Sequence, residues 1–168
     1  MKTKKIGFIG GGNMALSLMS GLIASGHPAE QLWASDINAD TLSNLAATLN
    51  VNTSMNNDDV LNEADVVVLA VKPQVLAEVA KNAAALVQQR KTLIVSIAAG
   101  INQHSLSQWL GEDIAIVRCM PNTPALVLTS ATALHANSNV NTKQRNLAET
   151  ILRSVGIALW VDLSLIHI

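Results

Sequence analysis

The chain has 168 residues, 49% hydrophobic and 14% charged, with a formal net charge of −1 and no tyrosine. That balance excludes intrinsic disorder and leaves no overall attraction for nucleic acid or an anionic membrane. The length suits one domain with a proper core. Cys119 is the only cysteine, so no internal disulfide forms, and no apolar run approaches the roughly 18 residues of a membrane span.

In chain order, the pattern predicts a strand over 5–10, a Gly10-x-Gly12-x-x-Ala15 turn, and a periodic helix over 13–25. A glycine turn between strand and helix is the setting in which this motif signals dinucleotide binding. Gly10 suits the tight turn, Gly12 lets backbone approach a pyrophosphate, and Ala15 lets the helix pack close to the strand. The helix N-terminus offers free N–H groups and the positive end of its dipole to phosphates. Lys2, Lys4 and Lys5, with Ala24-Ser25-Gly26 further on, imitate a secretory signal, but Gly10 to Asn13 break its apolar stretch. A cytoplasmic location is therefore expected.

A second strand over 31–35 runs into Asp36, about 20 residues beyond the turn, where an acid would bind the adenosine ribose hydroxyls. Asp36 or Asn38 equally suits the cap of a helix over 39–49, and both readings stand. A short strand over 51–54 precedes a helix over 57–63. Strands over 65–70 and 92–97 are β-branched runs, as in central parallel strands covered on both faces. Between them a helix over 74–89 carries Val75, Leu76, Val79, Ala83, Leu86 and Val87 on one apolar stripe. A helix over 102–110, strands over 114–119 and 131–136, a helix over 141–154 and a strand over 157–161 complete the alternation. The fold class is α/β: a Rossmann-like, doubly wound, mostly parallel sheet with helices on both faces, in a single domain.

In such a sheet, ligands sit beyond the carboxyl ends of the strands. Those ends carry Asn57, Ala70-Val71-Lys72-Pro73, Ile97-Ala98-Ala99-Gly100 and Pro121-Asn122-Thr123-Pro124. Each alone reads as loop punctuation, with Pro73 opening a helix and Gly100 supplying a positive-φ turn. Meeting at one face, they point to a shared site. Lys72 suits a phosphate, the nicotinamide ribose or solvent. Cys119 reads as a buried structural thiol, and His27, His104, His135 and His167 lack metal-ligand spacing. No metal ligand and no catalytic residue is singled out.

Taken together, Ile6-Gly7-Phe8-Ile9-Gly10-Gly11-Gly12-Asn13-Met14, Ala70-Val71-Lys72-Pro73, Ser96-Ile97-Ala98-Ala99-Gly100 and Met120-Pro121-Asn122-Thr123-Pro124 resemble Δ1-pyrroline-5-carboxylate reductases. The resemblance runs over roughly residues 4–161. It implies hydride transfer from NAD(P)H to the C=N carbon of a cyclic imino acid, forming proline. It also implies site residues. Ile9, Gly10, Gly11, Gly12, Asn13 and Met14 would line the pyrophosphate, and Ser35 and Asp36 the adenosine ribose. Asn57 would reach that ribose or its phosphate. Ala70, Val71, Lys72, Pro73, Ile97, Ala98 and Ala99 would flank the nicotinamide half, with Asn122 and Thr123 near its carboxamide or the substrate.

Two departures qualify what the resemblance implies. Family members continue into a helical domain that dimerises and supplies the imine-carboxylate site, whereas this sequence stops at Ile168. On that basis residues 1–161 form the dinucleotide-binding domain and 162–168 a tail. Little or no reductase activity is expected of the chain alone, and a homo-oligomer only with the further domain. The second departure is Asp36, where relatives often carry a neutral residue. The resemblance favours NADP(H), while a carboxylate beside the ribose repels a 2′-phosphate and favours NAD(H). Other Rossmann oxidoreductases, β-hydroxyacid dehydrogenase-like or deazaflavin-dependent NADP reductase-like, and a non-catalytic dinucleotide-sensing module remain as alternatives.

Overall fold

The computed structural model describes residues 3–162 and 164, and omits the Thr123 side chain. The expected tail over 162–168 therefore lies, apart from Asp162 and Ser164, outside the described residues, as does His167. Strands and helices alternate as β1 Ile6–Ile9, α1 Asn13–Ala24, β2 Leu32–Ser35, α2 Ala39–Leu49, β3 Asn52–Ser54, α3 Asn57–Glu63, β4 Val66–Leu69, α4 Pro73–Arg90, β5 Leu93–Ser96, α5 Gln103–Leu110, β6 Ile116–Met120, β7 Ser130–Ala136, α6 Thr142–Arg153 and β8 Gly156–Trp160. Two 3-10 turns, Ala29–Gln31 and Thr123–Val127, are too short for a helical period to show in the sequence.

All eight strands form one sheet in the order β3-β2-β1-β4-β5-β6-β7-β8. Neighbours from β3 to β6 pair in parallel, and strands consecutive in the chain from β1 to β6 are joined through helices. β7 runs antiparallel to β6, and β8 runs parallel to β7. Only the 3-10 turn separates β6 from β7, and a parallel return needs a crossover of a dozen residues or more. The mostly parallel sheet read from the sequence is thus reversed at its last two strands.

Helices cover both faces. On one face, Leu18 and Met19 of α1, Leu45 of α2 and Ile151 of α6 pack against Phe8, Val68 and Val95. On the other, Leu61 of α3, Leu76 and Ala80 of α4 and Leu106 of α5 pack against Val67, Ile94 and Ile116. The buried stripe of α4 is Leu76, Ala80, Ala83 and Val87. Val75, read from the sequence as part of that stripe, is 46% exposed. It stands one residue, about 100° of helix, away from Leu76 and so turns off the sheet. No described helix is long and apolar enough to cross a membrane.

Four helices begin under an asparagine side chain that accepts first-turn N–H groups: Asn38 on α2, Asn56 on α3, Asn102 on α5 and Asn141 on α6. Each such cap contributes about 1 kcal/mol. The helices α1 and α4 begin at Gly12 and Lys72 with no side-chain cap. These two start at the ends of the adjacent strands β1 and β4, where the order of the sheet reverses.

Candidate dinucleotide site

The reversal between β1 and β4 opens a crevice beyond their carboxyl ends. Gly10 occupies its floor at φ +101, and a Cβ there would stand 2.6 Å from the Ala70 carbonyl oxygen. The amide of Gly10 donates to the Ser35 carbonyl at 2.8 Å, and that of Ala70 to the Ile9 carbonyl at 2.8 Å. The ends of β1, β2 and β4 are therefore laced together around this glycine. At Gly12 a Cβ would meet nothing within 4 Å. Its open surface, followed by the uncapped first turn at Asn13 and Met14, fits the approach of a phosphate to backbone N–H groups.

Gly11 plays a different part from its neighbours. It is buried, and its amide donates to Oδ2 of Asp36 at 2.8 Å. Oδ1 of the same carboxylate accepts from the Asn38 amide at 2.9 Å. Asn38, not Asp36, caps α2, through bonds from the Asp40 and Thr41 amides. Each Asp36 oxygen keeps a lone pair for a further donor. The sequence left ribose contact and capping as alternatives, and the cap falls to Asn38.

Asp36 lines a cavity of about 310 Å³ together with Ile9, Gly10, Ser35, Ile37, Asn57, Val71, Val75, Glu78 and Val79. Ser35 Oγ donates to Asn57 Oδ1 at 2.7 Å, which fixes the amide plane of Asn57 and leaves its NH2 group as the remaining donor. The walls are apolar: Ile37 is 93% exposed on one side, with Val75 and Val79 of α4 on the other. Aliphatic walls over a floor of hydroxyl, amide and carboxylate fit an adenosine. The acids of the lining are Asp36 and Glu78, and no lysine, arginine or histidine among the described residues joins them.

Ile37, Val75, Glu78 and Val79 were not among the residues singled out from the sequence. Ile37 left a readable signal, an aliphatic residue in a polar loop straight after the strand-end acid. Val75 and Val79 were masked because their spacing matches a core stripe.

The remaining expected residues spread along the same sheet edge rather than entering this cavity. Lys72 is exposed and has no ion pair among the described residues. Pro73 opens α4. Ile97 is half-buried and Ala99 exposed, but Ala98 is 6% exposed and belongs to the core beneath α4 and α5. The Ala98 side chain is packed in the core, which leaves its backbone as the part open to a ligand. Asn122 accepts from Ser130 Oγ at 2.9 Å and from the Ala131 amide at 3.1 Å, closing the loop between β6 and β7. Cys119 is buried, and burial pushes its thiol well above the ordinary range, which leaves it inert.

Comparison with known proteins agrees with this geometry. Residues 5–100 match the family model described as NADP oxidoreductase, coenzyme F420-dependent. A pyrroline-5-carboxylate reductase of Pseudomonas aeruginosa is 47% identical over 96% of the chain and 59% of its own length. The structure of a pyrroline-5-carboxylate reductase from Coxiella burnetii superposes with a TM-score of 0.94 at 40% identity, covering 96% of this chain and 60% of that one. The crystal structure of a Plasmodium falciparum pyrroline carboxylate reductase with NADP bound superposes with a TM-score of 0.84 at 28% identity, covering 96% and 59%. The chain spans about three fifths of the length of these relatives. The chain belongs to the NADP oxidoreductase family of that model, and nearly all of its length is similar to the N-terminal part of pyrroline-5-carboxylate reductases.

Proposed function

We propose that the chain is the dinucleotide-binding part of an enzyme that reduces 1-pyrroline-5-carboxylate to L-proline with NAD(P)H. The observation that carries this reading is the crevice between β1 and β4. An open Gly12 and an uncapped α1 lie at one end of it, and an apolar slot floored by Asp36 lies at the other. The 36–47% identity to named reductases across 96–98% of the chain supports the choice of substrate.

When bound, the dihydronicotinamide supplies a hydride to the C=N carbon, whose nitrogen takes a proton to give the secondary amine. This chain's residues bind and orient. The backbone from Ile9 to Met14 holds the pyrophosphate. Ser35, Asp36 and Asn57 hold the adenosine ribose, and Ile37, Val75 and Val79 flank the adenine. Ala70 to Pro73, Ile97 to Ala99, Asn122 and Thr123 border the nicotinamide half, with Ala98 acting through its backbone. Orientation in near-attack geometry is their contribution to rate.

We assign NADH as the preferred cofactor. Asp36 and Glu78 repel a 2′-phosphate, and no lysine, arginine or histidine among the described residues lines the slot to receive one. Residues 1–161 make up the dinucleotide-binding domain, and the chain alone has little or no reductase activity. The location is cytoplasmic, and neither nucleic acid nor membrane is a partner. Homo-oligomers form only with the further part that the longer relatives carry.

Calorimetric titration with NADH and NADPH tests the reading. Saturable one-to-one binding, tighter for NADH, is expected. A folded sample that binds neither overturns it. The description of the family model favours a second reading, an NADP reductase using a deazaflavin. That match stops at residue 100, short of the Met120 to Pro124 loop.

A further inference from the structure

Eight strands at about 4.8 Å spacing make a sheet some 38 Å wide, and a packed helix covers about 10 Å of it, so a face takes roughly four covering elements. One face has four. The helices α2, α1 and α6 lie on it, and the 3-10 turn Thr123–Val127 inserts Ala125 into the same core. The other face has three, α3, α4 and α5, of which α5 packs over β6. Beyond α5, none of the described residues covers that face over β7 and β8.

The strip is apolar except at half-buried His135, which follows Ala131 and Ala133 on that side of β7. Buried Ser130, Thr132 and Leu134 of β7 and Ala158 of β8 point to the covered face. The alternate positions, in register across the two strands, are Ala131 beside Ile157 and Ala133 beside Leu159. Ile157 is 58% exposed and Leu159 60%. A sheet face left to water places polar residues at the outward positions along its strands. This one has the composition of a face that receives a partner.

We propose that the bare face of β7 and β8 is the seat of an amphipathic helix from the part of the polypeptide that follows β8 in the longer pyrroline-5-carboxylate reductases. This inference rests on the relationship to those reductases and not on the cofactor assignment. The chain matches 59% of the Pseudomonas aeruginosa relative, so two fifths of that protein lies outside the match. The last described strand, β8, lies at one edge of the sheet. One helix laid along Ile157 and Leu159 supplies the missing fourth element.

Thiol labelling tests the proposal, with Cys119, 1% exposed, as a silent background. Leu159→Cys is placed in the 168-residue chain and in a fusion of residues 1–161 to the remaining part of the Pseudomonas aeruginosa relative. The expected result is fast labelling in the short chain and at least about tenfold slower labelling in the fusion, set by burial. Equal rates in a folded fusion overturn the proposal. Slow labelling in the short chain overturns it too. If the rate rises on dilution, a second copy holds the face, and if it does not, the chain's own residues do.

Ile157→Lys with Leu159→Lys in the short chain gives an independent check that needs no fusion. A bare face leaves the thermal midpoint within about 2 °C, and a larger fall overturns the proposal. An NADH titration of each protein keeps the two readings separate, since lost binding with unchanged labelling counts only against the cofactor.

Discussion

Gly11 and Asp36, 25 residues apart, are joined by a hydrogen bond of 2.8 Å from the glycine amide to Oδ2 of the carboxylate. The acid at the end of β2 therefore shapes the loop at the end of β1 before any ligand arrives. Asp36→Ser removes that bond and the negative charge together. The variant is expected to lose about 1–2 kcal/mol of stability, because a buried amide is left without its acceptor. Its preference should shift from NADH toward NADPH. Thermal melts and paired calorimetric titrations separate the two effects. An unchanged cofactor ratio would remove Asp36 as the discriminating residue.

The glycines of the turn predict opposite phenotypes. Gly10→Ala forces a side chain into φ +101 and against the Ala70 carbonyl, 2.6 Å away. The backbone conformation alone costs roughly 1–3 kcal/mol, so the melting temperature should fall clearly. Gly12→Ala meets no atom within 4 Å at φ −71 and should fold normally. It should nonetheless weaken dinucleotide binding, because the new methyl group occupies the approach to the phosphates.

His27 makes stability depend on pH. Its Nε2 is buried without a hydrogen-bond partner among the described residues, and burial lowers its pKa below 6.5. The unfolded chain takes up the proton first as pH falls, so stability is complete above about pH 6.5 and declines below it. Melting temperatures between pH 7.5 and 5.5 should drop more steeply for the wild type than for His27→Gln. Parallel curves would exclude His27 as the cause.

Trp160 fastens the outermost strand to its helix. The indole N–H donates to Glu149 Oε2 at 2.7 Å, while Arg153 Nε donates to Oε1 at 2.6 Å. Arg145 lies 3.9 Å above the indole ring. The bond from Trp160, and then that from Arg153, hold the Glu149 carboxyl below its ordinary range. Their stabilisation is present above about pH 4.5 and is lost as pH falls through the lowered value. Trp160→Phe should cost about 1 kcal/mol at neutral pH by chemical denaturation, and less at pH 3.

Arg118 carries a cost without a visible return. It is 5% exposed, between Ser96 and His135 in the sheet, and its Nη1 has no partner among the described residues. Arg118→Met should raise stability by about 1 kcal/mol, a gain of roughly 2–4 °C in a chain of this size. A lower melting temperature would show that the guanidinium has a partner.

Much of the fold was legible because it rests on strong local signals. β-Branched runs gave β4 and β5, and the strand–glycine–helix order gave the glycine turn between β1 and α1. The reversal at β7 was harder to read. It depends on the shortness of the 3-10 turn at Thr123–Val127, whose prolines also suit an irregular crossover. The slot walls were hidden for a different reason. Val75 and Val79 recur at the interval of a buried stripe, and only the rotation of α4 on the sheet shows which stripe faces inward. The bond between Gly11 and Asp36 joins separate elements, and no periodicity reports such a contact.

The six described helices do not begin alike, since four carry asparagine caps and α1 and α4 do not. A bound pyrophosphate would do for α1 what Asn38 does for α2, terminating the helix by accepting its first amides. Ligand and capping residue are then interchangeable parts of one structural rule, and occupancy should register as local order. Amide exchange over Asn13–Ala15 should slow on binding far more than exchange at the already capped start of α2. Part of the dinucleotide's affinity would thus be helix stability that the sequence leaves for the ligand to complete.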